Sequence, residues 1–208
     1  GESTCLIYKR LWVQIPLSLL TGILYNKHME QLIKEFKAAM SDPTVNHKIF
    51  KKALVKTPSW QNMQDYIEFS KTAGNYRSDY EGFYILHCKE DHDISDFDGA
   101  AEFLEVMGAV YGEDNPSQSC FTFVISENYR AVAEKSGIMK HTDTTDTIHW
   151  NVVGATIWTL YQDGQANEYL VEPGDIVYIQ YGTEHGVESL TPRAGIVYSG
   201  GEYHPNKD

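Results

Sequence analysis

Beyond residue 138 the chain consists almost entirely of short strand-like runs, and this pattern limits the possible folds more than any other. Apolar and β-branched residues cluster in these runs, and Gly, Pro, Asp and Asn separate them at close intervals. The predicted strands are Ile148–Val153, Ala155–Tyr161, Glu168–Val171, Ile176–Ile179, His185–Leu190 and Gly195–Ser199. Many short strands at regular spacing predict a β-sandwich or a β-barrel.

The segment before these strands has helical periodicity. From Met29 to about Thr72, apolar residues recur at intervals of three and four, and two or three helices are predicted. One of them is expected around Ile49, Phe50 and Leu54. Prolines break the pattern twice, and Ser59 is placed to cap the helix that follows it.

We expect one domain over residues 29–208, with a helical part at 29–80 and a barrel at 81–208. Within the barrel part, strands are predicted at Phe83–Leu86 and Phe121–Ile125, and a helix from about Asp98 to Tyr111. Helices that precede a β-barrel in sequence are expected to pack on its outside.

Residues 1–28 differ from the rest of the chain. The run from Leu11 to Leu24 is largely apolar, but it contains Gln14 and Pro16 and is too short to span a bilayer as a helix of roughly 20 residues. The first methionine is Met29. We therefore expect residues 1–28 to be an upstream extension from a misplaced start codon, and we expect no membrane partner.

The net charge argues against one class of partner. Lys and Arg number 17 and Asp and Glu number 29, which gives a formal charge of -12. Such a surface repels a phosphate backbone, so no broad nucleic-acid binding is expected. A local cluster of Lys48, Lys51, Lys52 and Lys56 allows a basic groove, although a solvated helix face is the favoured interpretation.

The cysteines indicate the redox environment. Cys5, Cys88 and Cys120 are odd in number and lack the spacing of a thiolate zinc site or a disulfide framework. A reducing compartment, the cytoplasm, is therefore expected.

Two separated segments carry residues that suit a metal. His141-Thr142-Asp143 is expected to enter a strand that runs to Gly154. In an extended strand, residues i and i+2 point to the same side, so His141 and Asp143 can present an imidazole and a carboxylate to one point. His185 on a neighbouring strand would complete the set. Two imidazoles and one carboxylate leave coordination positions open for a chelating co-substrate and for O2, as in non-haem iron(II) oxygenases. Zinc also accepts these ligands.

The sequence around His185 supports a role beyond that of a surface histidine after a hairpin. Pro173-Gly174-Asp175 predicts a tight turn, a buried apolar strand follows, and Gly182 permits a bend just before His185. This arrangement would place the imidazole at the mouth of the barrel.

Other polar residues have competing interpretations. The stretch 87–93, rich in His, Cys, Asp and Glu, could bind a metal, but a solvated acidic loop is favoured. His149 lies at even spacing from Asp143, so it is either a supporting or substrate-facing residue or a hydrogen-bonded core histidine. Asp146 is expected in a turn.

The motifs together resemble a known family. His141-Thr142-Asp143, followed by Asn151–Tyr161, resembles the metal-binding strand and hairpin of the JmjC and cupin-like hydroxylases, and Pro173–His185 is similar to their second motif. The resemblance covers roughly residues 119–200. It implies a mainly β, double-stranded β-helix (a cupin or jelly-roll barrel) in which His141, Asp143 and His185 ligate Fe(II).

The resemblance also implies a co-substrate and an activity. In this family 2-oxoglutarate chelates the iron, and O2 is used to hydroxylate a substrate with release of succinate and CO2. Many relatives carry Lys or Arg two positions after the glycine that matches Gly154, where this chain has Thr156. Arg193 is the candidate to replace that cation, because oxygenases of the prolyl-hydroxylase type place an arginine downstream of the second histidine. An exposed arginine in a turn is the competing interpretation.

Further contacts to 2-oxoglutarate are expected from the hydroxyl groups of Thr156, Tyr198 and Ser199. Trp158 is expected to pack in the core instead. The prime substrate implied by the resemblance is a protein side chain, a small molecule or a nucleobase, and relatives that pair through their outer helices imply a possible homodimer.

Two alternatives stay open at this level. One is a cupin metalloenzyme with zinc, manganese or iron that does not use 2-oxoglutarate, which Thr156 favours. The other is a non-catalytic module that keeps the barrel, which the intact set of metal ligands disfavours.

Overall fold

The computed structural model describes residues 17–74, 76–80, 82–87, 94, 97–112, 121–127, 138–162 and 164–200. Within them the chain forms three helices and eleven strands. The helices are α1 (Leu17–Ser41), α2 (Trp60–Ala73) and α3 (Ala100–Tyr111). The strands are β1 (His47–Phe50), β2 (Tyr76–Tyr80), β3 (Phe83–His87), β4 (Phe121–Ser126), β5 (Ile138–His141), β6 (Asp146–Val153), β7 (Thr156–Gln162), β8 (Gln165–Val171), β9 (Ile176–Ile179), β10 (His185–Ser189) and β11 (Arg193–Gly200).

The strands form two antiparallel sheets. The larger has seven strands in the order β1-β9-β6-β11-β4-β3-β2, and the smaller has four in the order β5-β10-β7-β8. Apolar residues of both sheets, among them Trp158 and Val187 of the smaller and Val177 of the larger, pack into one inner core between them. The predicted mainly β fold, a double-stranded β-helix with helices outside it, is confirmed.

Strand alternation gives the larger sheet two different faces. The outer core is the buried apolar cluster between the helices and the larger sheet. Strand β11 contributes Ala194, Ile196 and Tyr198 to it. The residues of β11 that line a cavity between the sheets are Arg193, Val197 and Ser199. One face of β11 therefore packs against the helices, and its other face lines the cavity.

The outer core fixes the helices on the larger sheet. Phe36 of α1 stacks on Phe50 of β1 with ring centroids 3.9 Å apart. Tyr66 of α2 lies 4.4 Å from Phe123 of β4. All four side chains are buried, and each contributes about 1.5–3 kcal/mol through burial.

The N-cap predicted for α2 is present, and the helix ends at a glycine. Ser59 is the N-cap, and its side chain accepts a hydrogen bond from the backbone N–H of Asn62 in a capping box. Gly74 closes the helix in the left-handed conformation with φ 67°.

The helix predicted around Ile49, Phe50 and Leu54 is wrong, because these residues form and follow β1, which pairs with β9. A few apolar residues fit both periods, and the edge of the larger sheet supplies hydrogen-bond partners that a short isolated helix lacks. The lysines nearby do not form a helix face either. Lys48 pairs with Glu35, and Lys51 pairs with the buried Asp175.

Other boundaries also differ from the prediction. The first helix begins at Leu17 rather than Met29, and β1 and β2 come from the part expected to be helical. Strand β5 ends at His141, where the predicted strand begins. The stretch 88–93 and the three cysteines, Cys5, Cys88 and Cys120, lie outside the described residues.

None of the helices in the described part of the chain combines the length and apolar character needed to cross a bilayer.

Candidate metal centre

Three side chains converge at one end of the barrel. His141 is the last residue of β5 and His185 the first of β10, and the two lie directly opposite each other in the register of these strands. Asp143 lies in the loop between β5 and β6. One potential ligand atom from each residue lies within 4.8 Å of the others.

The carboxylate of Asp143 lies between the two imidazoles. Its Oδ1 is 3.6 Å from His141 Nε2, and its Oδ2 is 3.7 Å from His185 Nε2. The two rings have centroids 4.2 Å apart. The predicted convergence of these three residues is therefore present.

The prediction that His141 and Asp143 share one strand is wrong. The strand expected to run from His141 to Gly154 is interrupted at residues 142–145, so Asp143 does not share a strand with His141. The loop is instead braced from across the site, where Gly182 N–H donates to the Asp143 carbonyl at 2.9 Å. Asp146 is the first residue of β6 rather than a turn residue, and its carboxylate accepts from Tyr181 N–H at 2.9 Å.

His185 is oriented for ligation through Nε2. Its Nδ1–H donates to the Thr183 carbonyl at 2.9 Å, which leaves the lone pair on Nε2, the atom that faces Asp143. Burial is the largest cause that lowers the pKa of His185, which favours the neutral form that a metal requires.

Asp143 is also held by a side chain that sequence reasoning missed. Thr147 Oγ1 donates to Asp143 Oδ2 at 2.6 Å. This bond depends on how the loop between β5 and β6 returns to the sheet, and no sequence pattern signals it.

A cavity of about 170 Å³ extends from the three residues into the barrel. Its walls come from β4, β6, β7, β10 and β11, and its polar lining includes Thr122, His149 and Ser199 besides the three converging residues. This volume is below the roughly 300–1,000 Å³ of pockets for drug-sized ligands, so it suits a small molecule.

Arg193 lies inside this cavity. It is the first residue of β11, its side chain is fully buried, and its Nε–H donates to Ser189 Oγ at 2.9 Å. It is the one Lys or Arg among the described residues that line the cavity. The alternative of an exposed arginine in a turn is therefore wrong.

The turn at Gly154 supports the segment that leads into Arg193. Gly154 has φ 73°, and a Cβ atom there would lie 2.0 Å from the Pro192 carbonyl oxygen. Ala155 N–H donates to Thr191 Oγ1 at 2.9 Å. The residue type at 154 is thus set by close backbone contact with the turn before β11.

The three other predicted contact residues lie in different places. Ser199 lines the cavity, although it is exposed. Thr156 is buried opposite Ser189 but is not among the cavity-lining residues. Tyr198 points to the outer core, where it packs on Phe121 at 4.9 Å, because it alternates with the cavity-facing residues of β11.

Two further residues line the cavity, and of these only Trp158 was expected elsewhere. Trp158 lines the cavity and stacks on His185 with centroids 5.7 Å apart and an interplanar angle of 13°. His149, on β6, also lines the cavity, and burial followed by the charge of Arg193 lowers the pKa of its ring to about 3.

Comparison with known proteins identifies this architecture. No family model matches the sequence, and no curated protein matches it. Solved structures of Escherichia coli YcfD, described as a ribosomal oxygenase, do match. Its X-ray structure gives a TM-score of 0.52 at 13% identity, over 78% of this chain and 50% of that chain.

Two further YcfD structures contain ligands. The complex with cobalt and succinic acid gives a TM-score of 0.51 at 14% identity over 77% of this chain and 49% of that one. The complex with cobalt and 2-oxoglutarate gives 0.50 at 15% identity over the same shares, 77% and 49%. This chain therefore spans about half the length of the YcfD chains it matches. It shares the fold of these oxygenase structures, a double-stranded β-helix, as its motif resemblance to the JmjC and cupin-like hydroxylases predicts.

Proposed function

We propose that this protein is an Fe(II)- and 2-oxoglutarate-dependent oxygenase that hydroxylates a protein side chain or a small molecule. The observation that carries the proposal is that His141, Asp143 and His185 converge at the mouth of a small cavity that also contains the buried Arg193.

The three side chains fit a divalent transition metal. They offer two imidazoles and one carboxylate, and the His185 Nδ1–H bond to Thr183 leaves Nε2 as the donor atom. Three protein ligands leave the remaining coordination positions open. The same set accepts zinc, so the choice of iron belongs to the proposal and is tested below.

The cavity fits a small dicarboxylate. His185 and Ser189 are at the two ends of β10, and Arg193, which donates from Nε to Ser189 Oγ, lines the same cavity as His185. One acidic end of a co-substrate can then meet the metal while the other meets Arg193. A buried carboxylate requires such a cation, because its desolvation is otherwise costly.

When bound, the metal and 2-oxoglutarate would supply the oxidising power to insert one atom of O2 into a substrate C–H bond, with succinate and CO2 as co-products. The chain itself holds the ligands in place. Thr147 fixes the Asp143 carboxylate, Trp158 covers one face of His185, and the two sheets exclude water from the inner end of the cavity.

The position of Arg193 bears on the alternative of a cupin metalloenzyme that does not use 2-oxoglutarate. That alternative rests on Thr156 standing where many relatives carry a cation. Here a cation reaches the same interior from β11 instead of β7. We therefore favour use of 2-oxoglutarate.

The function is tested by adding Fe(II) and then 2-oxoglutarate to the protein under anaerobic conditions. We expect the weak visible charge-transfer band of the chelate, and succinate formation once O2 is admitted. In His185→Ala and Asp143→Ala both signals should be lost, because each variant lacks one of three ligands. His28→Ala, on α1 and outside this cavity, is the matched control and should retain both. Iron binding without the band would favour an enzyme that does not use 2-oxoglutarate.

The role of Arg193 is tested by Arg193→Met, which keeps much of the side-chain volume and removes the charge. Loss of a charge-assisted hydrogen bond costs about 1.5–3 kcal/mol, so 2-oxoglutarate binding should weaken by about 10- to 100-fold while Fe(II) binding is unchanged. Arg193→Lys, which keeps the charge, should lose less. Equal affinity in Arg193→Met and the wild type, measured by titrating the visible band, would assign the cation elsewhere.

A further inference from the structure

His149 is a third imidazole inside the cavity and lies outside the group of three candidate ligands. It is on β6, and only 2% of the residue is exposed. The Asn151 side chain is near enough to the ring to raise its pKa through a hydrogen bond, but Nε2 itself is buried and has no hydrogen-bond partner in good geometry among the described residues. A buried ring nitrogen left in this state costs about 1–3 kcal/mol, so a hydrogen-bonding group supplied by a ligand would be stabilising.

The residues around the His149 ring leave space for it and contact it on two sides. Gly195 of β11 lies beneath it, and a Cβ atom at that position would be 2.2 Å from His149 Cε1 and Nε2. On another side, Trp158 contacts the ring in a T-shaped arrangement with centroids 5.0 Å apart. Contacts from β11 of the same sheet and β7 of the other sheet thus hold His149 in place at the cavity.

The charges in the cavity balance when the His149 imidazole is neutral and a metal and an acid co-substrate are bound. Among the described lining residues, Asp143 carries a negative charge and Arg193 a positive one. A divalent metal and a dianionic co-substrate would then cancel each other, provided that His149 stays uncharged. The pKa of about 3 keeps it so, and leaves one ring N–H available to donate.

We propose that His149 is a further binding residue for the acid co-substrate, donating a hydrogen bond from Nε2 to an oxygen of the ligand held between the metal site and Arg193. The inference rests on the proposed function and extends it to a residue on β6. Together, Arg193 and His149 would select a small molecule with a carboxylate at the far end from the metal.

The test uses the Fe(II)-loaded protein under anaerobic conditions, with 2-oxoglutarate as the probe and the visible band as the readout. His149→Phe and His149→Leu remove the donor, and 2-oxoglutarate affinity should fall about tenfold or more, since a hydrogen bond to a charged group is lost. Fe(II) affinity should not change. His149→Gln, which keeps an N–H donor, should lose less than either apolar variant.

Gly195 provides a second, independent variant. Gly195→Ala places a methyl group where the His149 ring lies, so it should weaken 2-oxoglutarate binding as His149→Phe does. In a His149→Ala background the space is free, and Gly195→Ala should cause no further loss.

The outcomes separate the two proposals. If the wild type binds 2-oxoglutarate and both apolar His149 variants bind it equally well, the role of His149 is overturned while the proposed function stands. If the Fe(II)-loaded wild type gives no band with 2-oxoglutarate, the proposed function fails, and the role of His149 fails with it.

Discussion

At the scale of single residues, the site depends on side chains that orient the candidate ligands. The Thr183 carbonyl fixes the His185 ring, and Thr147 fixes the Asp143 carboxylate. Partners of this kind set the tautomer and direction of the ligand and raise metal affinity.

Thr147→Val tests this at one position. The substitution keeps the β-branched shape and removes the hydroxyl that donates to Asp143, so Fe(II) affinity should fall by about 10- to 100-fold without loss of the fold. Affinity is measured by competition with a metal-binding dye. Thr147→Ser restores the donor and should bind Fe(II) nearly as well as the wild type. Unchanged affinity in Thr147→Val would show that Asp143 needs no such support.

At the scale of elements, the turn between β6 and β7 and the turn before β11 act as one unit. Asn151 Nδ2 donates to the Gly154 carbonyl at 2.7 Å, and Leu190 N–H donates to the Ala155 carbonyl at 2.9 Å. Because Arg193 starts the strand that follows, the contact between these turns helps to set where the guanidinium lies.

Gly154→Ala should therefore affect both stability and co-substrate binding. The positive φ strains any L side chain by about 1–2 kcal/mol, and the new Cβ would collide with the Pro192 carbonyl, so the turn before Arg193 must move. We expect a lower melting temperature and weaker 2-oxoglutarate binding.

Gly164→Ala is the matched control for this variant. Gly164 has φ 75°, yet nothing lies within 4 Å of an added Cβ atom. It should show the backbone strain alone, with 2-oxoglutarate affinity unchanged. Equal behaviour of the two variants in both measurements would contradict a role for the contact between the turns.

At the scale of the whole molecule, the site joins parts of the chain that are distant in sequence. Its candidate ligands come from β10 and from the end of β5 and the loop after it, while Arg193 comes from β11 of the other sheet. A metal that binds these groups only in the folded state stabilises the whole barrel. The expected homodimer stays a prediction.

Metal addition should accordingly raise the melting temperature. At a free Fe(II) concentration of 100 times Kd the stabilisation is about 2.7 kcal/mol. For a chain of this size that corresponds to roughly 5–10 °C. Calorimetry under anaerobic conditions measures it, and a chelator should reverse it. A shift of the same size in His185→Ala would mean that the metal binds elsewhere.

The strand series from β6 to β11 and the cap at Ser59 were predictable from the chain alone. These features follow from local patterns, because alternation, turn residues and capping each act over a few residues. The candidate metal ligands His141, Asp143 and His185 were also predicted, because the residue types and their order in the motifs can be seen in the sequence.

The remaining features depend on contacts between distant segments of the chain. The sheet edge converted the Ile49 region from helix to strand, and contacts across the site placed Asp143 in a loop. The burial of Arg193, the exclusion of Tyr198 from the cavity and the slot for His149 above Gly195 depend on which strands become neighbours. That pairing joins residues far apart in sequence, so no local pattern specifies it.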